Sequence, residues 1–162
     1  MKDESIVFQA IGVIHSPHKE LDKIPIQPVF CSGIKGTVVV DEEYTDGLKG
    51  LAEFSHVFLF FHFHGSDKTC LRLKPYLSDE EQGIFATRAP HRPNKLGMSL
   101  VRLETIENNI LHVSDIDILD GTPLLDIKPY VQRFDSREHA KSGWQDAVSD
   151  DVAAVRGKRG FS

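Results

Sequence analysis

Met98-Ser-Leu-Val-Arg-Leu-Glu-Thr-Ile106, Glu107-Asn-Asn109 and Ile110-Leu-His-Val-Ser-Asp-Ile-Asp-Ile118 follow one another without a break. Both flanks read as strands, and the Asn pair between them reads as a hairpin turn. Working outward, Ser55 to His64 forms a long aromatic strand and Gly36-Thr-Val-Val-Val40 a short one. Ile6 to Ile14 is rich in β-branched residues and closes on the turn former Ser16-Pro17, which predicts another strand. Ile84-Phe-Ala-Thr87 predicts a further one. One short helix is expected over Thr45–Phe54, where Leu48, Leu51 and Phe54 share a face and two glycines weaken the element. Many short antiparallel strands with few helices predict a mainly β fold: a closed antiparallel β-barrel with one or two short helices. No glycine-rich turn joins a strand to a helix, which argues against a doubly wound nucleotide fold.

The length of 162 residues suits one domain with a substantial core. We expect a barrel domain over residues 1–135. A charged extension over 136–162 is expected to be partly ordered or dimer-associated, with Arg156-Gly-Lys-Arg-Gly160 a mobile basic end. The longest apolar run, Val57-Phe-Leu-Phe-Phe61, is far short of the roughly 20 residues a membrane helix needs. An acidic N-terminus and only two cysteines, Cys31 and Cys70, predict a cytoplasmic protein with reduced thiols and no membrane partner. The net charge of -5 argues against indiscriminate nucleic-acid binding. The charge is uneven, however: Arg88, His91, Arg92, Lys95 and Arg102 lie in a stretch with no acid between Gly83 and Leu103.

Function is expected in two polar stretches read as loops, Gly83 to Ser99 and Asp117 to Tyr130. Pro90 and Pro93 stiffen the first and hold Arg88, Arg92 and Asn94 in a fixed array. Such arginines serve either to tie loop carbonyls or to grip a ligand carboxylate or phosphate. In the second stretch Asp115 and Asp117 share parity at a strand end and can face one pocket, where they would favour a cationic ligand. Asp120 and Asp126 fit turn chemistry equally well. His56, His62 and His64 share parity too. With His112 they suggest a cupin-like metal site, but the expected Glu is missing from Gly65-Ser-Asp-Lys-Thr69, so no metal is expected and the histidines are assigned to packing and hydrogen bonding.

Six segments together carry a resemblance: Ile11-Gly-Val-Ile-His-Ser-Pro17, Leu51-Ala-Glu-Phe-Ser-His56, Phe85-Ala-Thr-Arg88, Arg92-Pro-Asn94, Gly97-Met-Ser99 and Asp117-Ile-Leu-Asp-Gly-Thr-Pro-Leu-Leu-Asp-Ile-Lys-Pro-Tyr130. In this order they resemble the TsaA-like β-barrel family of S-adenosylmethionine-dependent tRNA methyltransferases, in a short single-domain form. The resemblance implies a non-Rossmann enzyme, working as a homodimer. Its expected reaction is methylation of N6 on threonylcarbamoyl-modified adenosine at position 37, beside the anticodon. It also implies that S-adenosylmethionine is held by Pro25, Ile26, Gln27, His64, Gly65, Arg88, Ser114, Asp115, Ile116 and Asp117, with Met98 as an addition. Asp126 is the expected proton acceptor, Lys128 a binder of phosphate or the threonyl carboxylate, and Tyr130 a base-stacking ring. Arg92, Asn94 and Lys95 are expected to contact the anticodon loop of the tRNA. Two further readings stand beside this one: a barrel that binds S-adenosylmethionine without catalysis, and the cupin-like metal enzyme.

Overall fold

The computed structural model describes residues 4–159. Eight strands run through it: β1 (Gly12–His15), β2 (Lys35–Val40), β3 (His56–His62), β4 (Arg72–Leu73), β5 (Gln82–Gly83), β6 (Leu96–Glu107), β7 (Ile110–Ser114) and β8 (Thr122–Pro129). Six of them close an antiparallel barrel in the order β1-β2-β7-β6-β3-β8, and β8 pairs back onto β1. The β4–β5 pair lies outside that cylinder. The β6–β7 hairpin turns on Asn108, whose φ of 54° is the left-handed geometry that its side chain tolerates.

Strand parity sets the interior. Along β3, Val57, Leu59 and Phe61 point inward and are buried, whereas His56, Phe58, Phe60 and His62 point outward. Val38, Val40, Val101, Leu111, Val113 and Leu124 fill the rest of the cylinder. After Ser114 the chain leaves the ladder, and Ile116 and Ile118 drop into the core. Each such side chain contributes about 1.5–3 kcal/mol through burial.

The structure departs from the sequence reading in several places. The strand expected over Ile6–Ile14 begins only at Gly12; Ile6, Val7 and Phe8 are 80%, 88% and 67% exposed because β2 and β8 offer partners only further along. Ile84–Ala86 is a 3-10 turn rather than a strand, closed where the Thr87 amide and hydroxyl both donate to the Ile84 carbonyl. The expected helix over Thr45–Phe54 is two 3-10 turns, Glu42–Leu48 and Leu51–Glu53, separated by Gly50 at φ 83°. Finally, Thr122–Pro129, read as loop, is the strand that closes the barrel.

Two short helices follow the barrel: α1 (Gln132–Asp135), and α2 (Asp150–Gly157), whose N-terminus is capped by the Ser149 hydroxyl. Arg156 and Gly157, expected in a mobile end, are therefore helical, with Lys158 and Arg159 directly after; Gly160 lies outside the described residues.

Candidate functional site

The rigid turn after Ile84 delivers Arg88, which is exposed and donates from Nη1 to the Gln27 side-chain oxygen at 2.7 Å. Gln27 ends the short segment Pro25-Ile26-Gln27, in which Pro25 is buried. Opposite stands Asp117. Its Oδ1 accepts a 2.6 Å hydrogen bond from Ser99, an inward residue of β6. Burial pushes the Asp117 carboxyl up to about 7, against the opposing pull of the Ser99 hydrogen bond and of the Arg88 charge. Arg88 and Asp117, far apart in sequence, thus share one electrostatic environment.

Cys31 is buried close by, its thiol donating to the Gln27 carbonyl. Burial, reinforced by the carboxylates of Asp117 and Asp115, pushes its thiol up to about 12. Asp115 adopts φ 63°, an uncommon angle for a residue with a side chain. Its Oδ1 accepts from the Gly33 amide at 2.7 Å, and its Oδ2 lies 3.9 Å from Arg102 Nε. Ile116 is fully buried and bonds through its amide to Ile34, so it contributes backbone to the site. Ser114 donates to Glu104, the extra residue of a β-bulge between β6 and β7.

Two further segments approach. His64 Nδ1 lies 3.3 Å from the Thr122 hydroxyl, and Gly65 packs so closely on Leu21 that an added Cβ would sit 2.9 Å from its side chain. The loop Ser16–Lys19 is stitched to the strand end: the Ser16 hydroxyl donates to the Ile118 carbonyl, and Asp120 accepts from the Ser16 amide. Hydrogen bonding to Lys19 and to that amide holds the Asp120 carboxyl down at about 2. The structure therefore gathers Gln27, Arg88, Asp115 and Asp117 with their neighbours, while Met98 leaves β6 on the outward side, opposite to Ser99.

Asp126, Lys128 and Tyr130 occupy a different surface. Asp126 sits level with outward Phe60 and Met98, Lys128 level with Phe58 and Leu100, and Tyr130 bonds to the backbone of His56, which pairs with Arg102. Lys128 Nζ lies 2.8 Å from Asp126, and the Tyr130 ring lies 6.0 Å from that of Phe58. Together they form an aromatic patch rimmed by cations on the outer wall of the barrel.

Arg92 ties loop carbonyls, donating to Thr87 at 2.8 Å and Ile84 at 3.2 Å while lying over Phe85. Asn94 is exposed and Lys95 half-buried, both beside the site on the same stiff loop. The outward histidines diverge: His56 bonds Ser55, and His112 faces Glu107. Among the described residues no three His, Cys, Asp or Glu side chains converge as a metal site requires. An open depression of about 640 Å³ lies at the tip of the β6–β7 hairpin, lined by Thr45, Asp46, Lys49 and Asn108 among others, but its charged side chains are exposed and none is desolvated as Asp117 is.

Sequence reasoning missed Ser99, Cys31 and the Ser16–Asp120 stitch. Ser99 stood in the quoted Gly97-Met-Ser99 motif, and only the tertiary pairing shows that it holds Asp117.

The model of the tRNA-methyltransferase O N-terminal domain matches residues 13–136. The chain belongs to this family. A tRNA-methyltransferase O crystal structure superposes with TM-score 0.75 at 42% identity, covering 86% of this chain and 64% of that one. A probable S-adenosyl-L-methionine-binding protein of Pyrococcus abyssi is 52% identical over 139 residues, 86% of this chain and 76% of the relative. The mouse (Mus musculus) tRNA (adenine(37)-N6)-methyltransferase is 35% identical over 142 residues, 83% of this chain but 33% of that protein. The expected family and the expected closed barrel are both borne out. Among the described residues no helix is long and apolar enough to cross a membrane.

Proposed function

We propose that this chain is an S-adenosylmethionine-dependent methyltransferase acting on N6 of adenosine 37 in tRNA, with the threonylcarbamoyl-modified base as its substrate. The observation that carries the reading is that Arg88, bonded to Gln27, lies near enough to Asp117 for its charge to act on that carboxyl. The donor set fits the cofactor: a guanidinium suits the methionine carboxylate, and carboxylates suit its ammonium, ribose and sulfonium. Pro25–Gln27, His64–Gly65, Arg88 and Ser114–Asp117 would hold it. When bound, S-adenosylmethionine supplies a methyl group already activated by sulfonium charge.

The chain's own task is then alignment, which alone lowers a barrier by roughly 7–11 kcal/mol. The acceptor nitrogen of a threonylcarbamoyl adenosine is conjugated to a carbonyl and nucleophilically weak, so its proton needs an acceptor. Asp126, which lies on the outer wall rather than beside Arg88 and Asp117, could serve as that acceptor only where a second copy of the chain brings it to the cofactor, with Lys128 for a phosphate or the threonyl carboxylate and Tyr130 for stacking. The aromatic surface around Phe58 and Tyr130 suits an unstacked loop base. Asn94 and Lys95 on the stiff loop would reach the anticodon stem-loop, while Arg92 shapes that loop. Residues 1–135 form the catalytic barrel in this reading, and the family resemblance supports a cytoplasmic homodimer.

Mass spectrometry of tRNA nucleosides from cells with and without the protein tests the proposal. Loss of one methyl group on the modified adenosine is expected, and an unchanged profile refutes it. The relatives described as binding proteins favour one alternative, a non-catalytic S-adenosylmethionine sensor. Methyl incorporation into threonylcarbamoylated tRNA by the purified protein separates the two.

A further inference from the structure

The C-terminal extension lies beyond the family match, which ends at residue 136, yet its contacts are not scattered. Trp144 Nε1 donates to the Ala86 carbonyl at 2.8 Å, two residues before Arg88. The Gly157 carbonyl accepts from the Ile26 amide at 2.9 Å, one residue before Gln27. Gly157 also lies flat on Phe30, where an added Cβ would sit 2.5 Å from the ring. Arg156 pairs with Asp79 at 3.1 Å, and the Arg159 guanidinium stacks 4.2 Å over Tyr76. All of these anchors fall on loops and turns outside the barrel strands. Two of them flank the partners of a single hydrogen bond, the one between Arg88 and Gln27.

We propose that residues 143–159 form a strap that positions the Arg88 turn against the Pro25–Gln27 segment for cofactor binding, with Trp144 and Gly157 as positioning residues. The inference rests on the assignment of this site to S-adenosylmethionine. The physical reason is preorganisation. Loop segments without ladder partners must otherwise be ordered when the ligand binds, at a cost to affinity. A strap tied to both segments meets that cost during folding. None of the anchors named above falls on a barrel strand, so the strap can be loosened without opening the cylinder.

The test uses the full chain and three variants, Trp144→Ala, Gly157→Val and Arg159→Ala, so that one misfolded variant leaves two to decide. Calorimetry with S-adenosylmethionine, steady-state methylation of tRNA and hydrogen exchange over residues 24–30 and 84–88 are measured together. Losing one anchoring hydrogen bond in Trp144→Ala is expected to raise the S-adenosylmethionine Kd and KM by about three- to tenfold. Exchange should quicken in both segments, while kcat at saturating cofactor and the KM for tRNA stay unchanged. A fall in kcat with unchanged KM would mean only a smaller folded fraction and would overturn the strap. Cofactor binding by the native chain that all folded variants retain would overturn it as well, leaving the site assignment standing. No binding by the native chain would remove the site assignment and the strap with it.

Discussion

Replacing Asp117 by Asn turns the electrostatics of the site into a stability measurement. The native carboxyl sits at about 7 where an unconstrained one sits at 3.8. Below pH 3.8 both folded and unfolded chains carry the proton, and burial costs nothing. As pH rises from 3.8 to about 7, the unfolded chain releases the proton while the folded chain keeps it, so stability falls over that window. Above it, the folded protein holds a half-buried, largely desolvated anion. At about 1.4 kcal/mol per pH unit the full penalty has a ceiling of about 4 kcal/mol. Asn carries no charge, and its side-chain oxygen still accepts the Ser99 hydrogen bond. The variant should therefore be about 1–4 kcal/mol more stable than the native protein at pH 8 and equal to it at pH 4. Urea unfolding followed by circular dichroism at pH 4, 6 and 8 reads the difference directly. At pH 8 the same variant should bind S-adenosylmethionine more weakly, because it loses an anion facing a cation. A stability difference independent of pH, or an Asn variant less stable at pH 8, would refute the argument that burial dominates this site.

Arg88→Ala should weaken S-adenosylmethionine binding by about ten- to a hundredfold, as expected for a charged hydrogen bond, with little effect on thermal stability since Arg88 is exposed; calorimetry and a melting curve check both. Lys95→Ala should lower tRNA affinity and reduce the salt slope by about one, read from binding isotherms at several salt concentrations. Cys31 should resist iodoacetamide at pH 8 until the protein is unfolded, since burial keeps its thiol protonated; peptide mass spectrometry locates the label. Leu59→Ala, at the fully buried centre of β3, should cost about 2–5 kcal/mol in urea unfolding.

The sequence by itself determined the family, the closed β-barrel class and the β6–β7 hairpin. The shared parity of His56 and His62 puts both on one face of β3, opposite Val57, Leu59 and Phe61, and the Asn pair at 108–109 marks the hairpin, because both signals are local and concern backbone geometry alone. The family motifs likewise singled out Arg88 and Asp115–Asp117 residue by residue. What the chain could not show was pairing. Ile6–Phe8 has a strand's composition but meets no partner, and Thr122–Pro129 reads as a turn-rich loop until β1 and β3 take it in. The link between Ser99 and Asp117, and the contacts of Trp144 with Ala86 and of Gly157 with Ile26, join residues distant in sequence. Hydrogen bonding and desolvation act through space, so only the closed cylinder decided which polar groups meet, which are buried and which stay free for a ligand.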